Sequence, residues 1–300
     1  MRVNLIHLTS LEAITRLGTL AAAAEELGYT PGALSQQMDG LSRSIGSPVL
    51  AKVGRMVELT DVGRIVVDHG RELLDAERRL VDEVTNAGGA VHDRLVLGTW
   101  GSTAAGLLAP VIDAAGTTHP GLTVHSREVD VDDAAESVAR RRVDAAFGLT
   151  YSDSPIKRMP EVDLINLRTE SFALALPKDD PRAGQTLSLL DFRDDPWVLP
   201  AASTVYGRAM RVACRRTGFE PVVAHEVTDT AATLLLAQRG LGVAPITDLM
   251  LALSPVTGVG QVALRDDVRR DLVLIAPDGH HRRRGLEALI DVVRTVVRSV

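Results

Sequence analysis

Residues 19–41 read TLAAAAEELGYTPGALSQQMDGL, and two short helices joined by a tight turn fit them. The Thr19 hydroxyl is placed to accept a bond from an orphan N–H of a first helical turn. Residues 21–27 are strong helix formers, and Gly28 suits the stop. Thr30 then caps a second helix, with Pro31 at its first position, where a missing N–H costs nothing. Leu34, Met38, Leu41 and Ile45 recur at helical spacing and make a stripe to bury. Ala33, Ser35, Gln36 and Gln37 fall largely on the other side. They are small or hydrogen-bonding, unlike the Lys/Glu mixture of a solvated face. Such a surface suits a recognition helix in a DNA major groove, where Ser and Gln reach base edges and phosphates. The same residues also fit an ordinary helical hairpin.

The flanks extend the pattern. Upstream, Leu5, Leu8, Leu11, Ile14 and Leu17 form the apolar face of a first helix. Downstream, residues 49–59 alternate around Gly54-Arg55, which reads as a two-stranded wing. Arg55 at its tip is placed for a phosphate or minor-groove contact, or is a solvated turn residue. Thr60 caps a helix over about residues 62–85, with Asp61 supporting its N-terminus. Two columns in it repeat every seven residues: Val66, Leu73, Leu80 and Val67, Leu74, Val81. A heptad seam on a helix of roughly 35 Å has little to bury against in so small a domain, so the expected partner is the same helix of a second subunit. Residues 86–90, NAGGA, read as a flexible hinge.

From Leu95 strands alternate with helices, which predicts a parallel sheet covered on both faces. Expected strands are 95–97, 122–124, 145–148, 172–176, 197–199, 222–227, 243–246 and 272–276. Expected helices include 132–142, 206–217, 229–239 and a closing amphipathic one at 284–298. The 300 residues suggest two or three domains. The net charge of −6 argues against a generally basic nucleic-acid coat protein but not against a small DNA-reading face, with Arg2, Arg43, Lys52, Arg55 and Arg64 as its cations. The single cysteine, Cys214, excludes an intrachain disulfide and a thiolate zinc site. With no apolar span and no secretory signal in the sequence, a reducing cytoplasm is the expected setting and no membrane a partner.

The N-terminal region closely resembles the DNA-binding domain of LysR-type transcriptional regulators. The match runs through Leu5, Leu8, Leu11, Ala22-Ala23-Ala24, Leu27, Thr30, Ala33-Leu34-Ser35, Gln37, Leu41, Gly46, Gly54-Arg55, Val57, Leu59-Thr60 and Gly63. It departs at Thr30-Pro31-Gly32, at Gln36 (Arg in the family) and at Leu50-Ala51-Lys52. The remainder resembles the family's two-lobed effector domain, similar to periplasmic solute-binding proteins, through Val96-Leu97-Gly98, Leu107-Leu108-Ala109-Pro110, His119-Pro120, Val143-Asp144-Ala145-Ala146 and Gly240-Leu241-Gly242-Val243-Ala244. The resemblance implies a winged helix-turn-helix over 1–60, a dimerising linker helix and hinge over 61–90, and an α/β effector domain over 91–300. Its first lobe would hold 91–161 and 268–300, and its second 162–267. Crossings between lobes are expected near 150–162 and 265–271.

In such a module the ligand lies between the lobes, at carboxyl ends of strands and N-termini of helices. Ser102-Thr103 and Ser203-Thr204 are expected there on facing lobes, an arrangement that favours an anion, or else they are simple caps. Trp100 is a candidate apolar wall, and Thr150 and Thr228 are further contacts. Val131 stands where the family often has a Thr. The DNA contacts implied are Thr30, Pro31, Ala33, Ser35, Gln36, Gln37, Arg43, Lys52 and Arg55. His280-His281 reads as a loop and the adjacent Asp pairs as turns, so no catalytic residue, metal or cofactor is expected. The partners implied are double-stranded operator DNA, a small effector, most simply a carboxylate, and further copies of the chain as a homodimer and homotetramer. RNA polymerase is a further candidate partner. The competing reading is a small-molecule sensor with weakened specific DNA binding.

Overall fold

The computed structural model describes the chain except for residues 1, 54–55, 86–90, 153, 157–158, 252–257, 280–281 and 300. Two units are formed, Met1–Gly88 and Gly89–Val300. The first contains α1 (Leu5–Leu17), α2 (Leu20–Leu27), α3 (Pro31–Ile45), β1 (Leu50–Val53), β2 (Met56–Leu59) and α4 (Asp61–Thr85). Local chemistry sets its helix ends. Asn4, Thr19 and Thr30 accept bonds from the amides of Ile6, Ala22 and Ala33. Gly18, Gly28 and Gly46 end the three helices in the left-handed conformation, which glycine adopts without a Cβ penalty. Leu8, Leu11, Ile14, Leu34, Met38 and Leu41 meet in one core. β1 and β2 pair antiparallel from Leu50↔Leu59 to Val53↔Met56, and Arg55 lies outside the described residues.

The two columns expected on α4 have different fates. Val67 and Leu74 are buried in this unit's own core. Gly70 lies between them on the same face, and a Cβ there would meet the Leu8 side chain of α1 at 3.1 Å. Leu73 and Leu80 instead stay 48% and 62% exposed, as do Ile65, Val81 and Val84. Ile65, Leu73, Leu80 and Val84 lie on the face of α4 turned away from Val67, Gly70 and Leu74. Val81 is in line with those three but is exposed because α4, with 25 residues against 13 in α1, outruns what α1 covers.

The second unit contains β3 (His92–Thr99), α5 (Gly101–Thr103) running through a π turn into α6 (Ala109–Thr118), β4 (Gly121–Glu128), α7 (Ala134–Ala139) and β5 (Ala145–Thr150). It continues with β6 (Val162–Ser171), β7 (Ala173–Pro177), β8 (Thr186–Leu187), β9 (Pro196–Leu199), α8 (Val205–Arg216), β10 (Val222–Glu226), α9 (Thr230–Gln238) and β11 (Ala244–Ile246). It closes with α10 (Asp248–Leu251), β12 (Val259–Leu264), β13 (Arg269–Pro277) and α11 (Arg284–Ser299). One sheet has the order β4-β3-β5-β13-β6. The other has β11-β7-β12-β8, and a bridge between Trp197 and Val243 joins it to the β10-β9 pair.

The expectation of an all-parallel arrangement is corrected. β4, β3 and β5 are parallel, as are β9 and β10, but β13 is antiparallel to both of its neighbours, β5 and β6, and β7 is antiparallel to both β11 and β12. β13 enters the first sheet directly from β12 of the second without a helical crossover, and so runs against its neighbours. β6 pairs with β13 from Val162↔Pro277 to Ser171↔Arg269, so residues 162–171 run in the first sheet. The chain enters the second sheet at Ala173 of β7, not at residue 162. The return to the first sheet falls between β12 and β13, at residues 265–268. The helix expected over 132–142 is limited to α7.

Candidate functional site

On the first unit, α3 buries Leu34, Met38 and Leu41 and exposes Thr30, Pro31, Ser35, Gln36, Asp39 and Arg43. Ala33 is half-buried. Gln37 does not join the exposed row: it is half-buried, and its amide oxygen accepts a hydrogen bond from the Ser10 hydroxyl of α1. It ties the helices together, a role that the one-residue offset from Gln36 did not reveal. Lys52 is exposed on β1. Arg64, expected among the DNA-facing cations, pairs with Asp61 and donates to the Leu59 carbonyl. Asp39 was missed. It sits three residues after Gln36 and four before Arg43, so a carboxylate lies on the face expected to meet DNA.

In the second unit, Trp100 is half-buried and meets Phe147 edge-on, with centroids 6.4 Å apart. Ser102 and Thr103 are buried. The Thr103 hydroxyl accepts from the Trp100 amide at 3.0 Å and donates to the Trp100 carbonyl at 2.9 Å. The Thr204 hydroxyl accepts from the Gly207 amide at 3.0 Å and donates to the Ala201 carbonyl at 2.8 Å. A hydroxyl has one proton, so neither has one left to give an anion in this arrangement. Both act as caps. The first turn of α8 is tight: a Cβ on Gly207 would sit 2.1 Å from the Ala201 carbonyl oxygen. Ser203 and Thr228 are exposed, and the Thr150 hydroxyl accepts from the Ile156 amide at 3.4 Å.

The facing geometry expected of the two lobes is present through another residue. Asp132, in the turn after β4, accepts a hydrogen bond from the Val205 amide at the start of α8, at 3.0 Å. A first-lobe carboxylate thus meets a second-lobe helix N-terminus. Partial burial, opposed by the Val205 bond, holds the Asp132 carboxyl above its ordinary value, with Asp130 adding to the rise and Arg208 opposing it.

Where the chain passes between sheets, a polar cluster is buried. Arg270, 3% exposed, donates through Nε to Glu170 at 2.8 Å and through Nη2 to the Thr247 hydroxyl at 2.7 Å. Arg168 donates to the other Glu170 oxygen at 2.8 Å. Burial pushes the Glu170 carboxyl up, but the two guanidinium groups outweigh it and hold it below its ordinary value. Tyr151, Phe172 and Tyr206 stack beside it, with centroids 5.7–6.4 Å apart. The Tyr206 hydroxyl donates to the Pro245 carbonyl at 2.7 Å. Burial pushes the Tyr151 phenol to about 12. Among the described residues no group of His, Cys, Asp and Glu is placed to hold a metal, and no helix is long and apolar enough to cross a membrane.

A model of the LysR substrate binding domain matches residues 88–298, and one of the bacterial regulatory helix-turn-helix protein, lysR family, matches residues 5–64. The chain is 25% identical over 244 residues to the HTH-type transcriptional regulator AlsR of Bacillus subtilis, covering 80% of this chain and 79% of that one. It is 29% identical over 236 residues to the HTH-type transcriptional regulator ShiR of Corynebacterium glutamicum, covering 75% and 76%. Among solved structures, full-length CbnR complexed with its target DNA shares the fold with a TM-score of 0.58 at 21% identity, over 98% of this chain and all of that one. A full-length OxyR variant from Pseudomonas aeruginosa does so with a TM-score of 0.76 at 17% identity, over 99% and 96%. With both of its units matched in order, the chain belongs to the LysR-type transcriptional regulators: DNA-binding proteins with an effector-binding domain, and not enzymes.

Proposed function

We propose that α3 reads a two-fold-symmetric operator through Ser35, Gln36 and Arg43, with Thr30, Pro31 and Lys52 on the phosphates, and that a small anionic effector bound between the lobes modulates this reading. The observation that carries it is the exposed row on α3, small and hydrogen-bonding where a solvated helix carries Lys and Glu. Leu73, Leu80, Val81 and Val84 form the seam of a homodimer, and dimers pair into a tetramer. The protein works on DNA in the cytoplasm. The anionic class of effector is supported by the start of α8, which takes a carboxylate from this chain itself.

A sensor with weakened specific DNA binding is favoured by Asp39, whose charge offsets Arg43 on α3. One experiment separates the two. Retention of a fragment carrying the gene's own promoter, against random DNA of equal length, is titrated with salt. The proposal expects selective retention that falls steeply with salt, as for any grip made through phosphates. Equal retention of both fragments supports the sensor.

A further inference from the structure

We propose that Asp132 is a tethered competitor for the effector's anionic group: its carboxylate holds the start of α8 while the cleft is empty, bridges the two lobes, and must be displaced for the effector to bind. The inference rests on the effector reading above. Three observations carry it. The bond joins elements of different lobes, the turn after β4 and the first turn of α8, 73 residues apart in sequence. The atom it occupies is the amide an anion would seek. The amides of Thr204 and Gly207 already go to the Ala201 carbonyl and the Thr204 hydroxyl, whereas that of Val205 has no acceptor within its own lobe among the described hydrogen bonds. The turn is also preset. Asp130 accepts from the Asp132 amide at 2.9 Å, which fixes the Asp132 backbone in the turn.

A tethered group acts at an effective concentration of the order of millimolar or more, so a free carboxylate at lower concentration loses to it unless it adds contacts. Asp132 would therefore set the threshold for effector and reject small anions that fill only the helix end. The contact is also reversible in kind. Asp132 is largely solvent-exposed, Asp130 repels it, and its partial burial disfavours the charged form. A ligand that engages both lobes gains what the bare carboxylate lacks.

The test uses the full chain and acetate as the probe, against chloride at equal ionic strength. Hydrogen exchange is read at the Val205 amide, with the Thr204 amide as an internal control because its acceptor is Ala201. In the parent, Val205 should exchange at least roughly tenfold slower than an unbonded amide. Asp132→Ala should remove that protection and leave Thr204 unchanged. Asp132→Asn, which keeps an acceptor oxygen, should retain part of it. Acetate should then restore protection in Asp132→Ala at a concentration roughly tenfold or more below that at which the parent's thermal stability first responds. An unprotected Val205 in the parent, or protection that survives Asp132→Ala, overturns the bridge. Response of both chains at the same acetate concentration overturns the competition. No acetate response in either chain overturns the competition together with the anionic class of effector, while DNA reading is judged separately by the retention experiment.

Discussion

α3 and α8 start alike and end up in opposite situations. Each is capped by a Thr, whose hydroxyl accepts the amide three residues on, Ala33 in one and Gly207 in the other. At α3 the next residue is Pro31, which has no N–H, and the end stands exposed. At α8 the next residue is Val205, whose N–H is taken by Asp132 from the turn after β4. The same local motif therefore makes an open surface in one unit and a closed contact in the other. What differs is the long-range partner, and only the second unit supplies one.

The largest effect should come where an open surface is given the wrong charge. Leu73→Glu with Leu80→Glu leaves the core of the first unit intact, because Val67 and Leu74 fill it. In a seam between subunits, however, unpaired carboxylates are costly. The double variant should sediment as a monomer and lose operator binding. Parent-like sedimentation would move the dimer contact elsewhere.

Next comes the long-range side. Arg270→Met leaves Glu170 with Arg168 and the Thr247 hydroxyl, and takes from Thr247 the guanidinium that donates to it. Breaking one side of a buried ion pair costs about 3–5 kcal/mol, to be read in urea unfolding of the second unit. A loss below about 1 kcal/mol would mean that the cluster is hydrated and that the lobes are joined by the aromatic stack.

The cap variants test the comparison itself. Thr30→Ala and Thr204→Ala should each cost about 1 kcal/mol in their own unit. Only the first should also weaken operator binding, since α3's end faces outward and α8's does not. Equal effects on DNA would erase the distinction.

This contrast also decides what was legible in the sequence. Caps and stops are local, so Thr19, Gly28, Thr30 and Pro31 could be placed from neighbours alone, and the first unit's helices followed. The hydroxyl turns of the second unit were located correctly along the chain, but which atoms their protons meet was not. Thr103 and Thr204 spend theirs on their own backbone turns. Asp132 carries no local signal of its contact, because its partner lies 73 positions away. Glu170 and Arg270, 100 positions apart, carry no local signal. The length of β6 was hidden for the same reason: its charged residues, Arg168 and Glu170 among them, interrupt the apolar pattern that marks a strand, and pairing with β13 fixes it. On α3, the resemblance matches Gln37 and departs at Gln36 yet implies a DNA contact for both, and it is packing against Ser10 that takes Gln37 off the exposed row.

That separation gives the most direct measurement of the account. Affinities for operator and for random DNA are compared at one salt concentration for the parent, Gln36→Ala and Gln37→Ala. Gln36 stands on the exposed face, so its loss should lower the operator-to-random ratio by about 1–3 kcal/mol if it contacts a base edge in bidentate fashion. Gln37→Ala should mainly lower the stability of the first unit, by about 1 kcal/mol for the lost Ser10 bond, and change the ratio little. A ratio that falls for Gln37→Ala and holds for Gln36→Ala, with both variants folded, would contradict the assignment of α3's outward face as the reader of sequence.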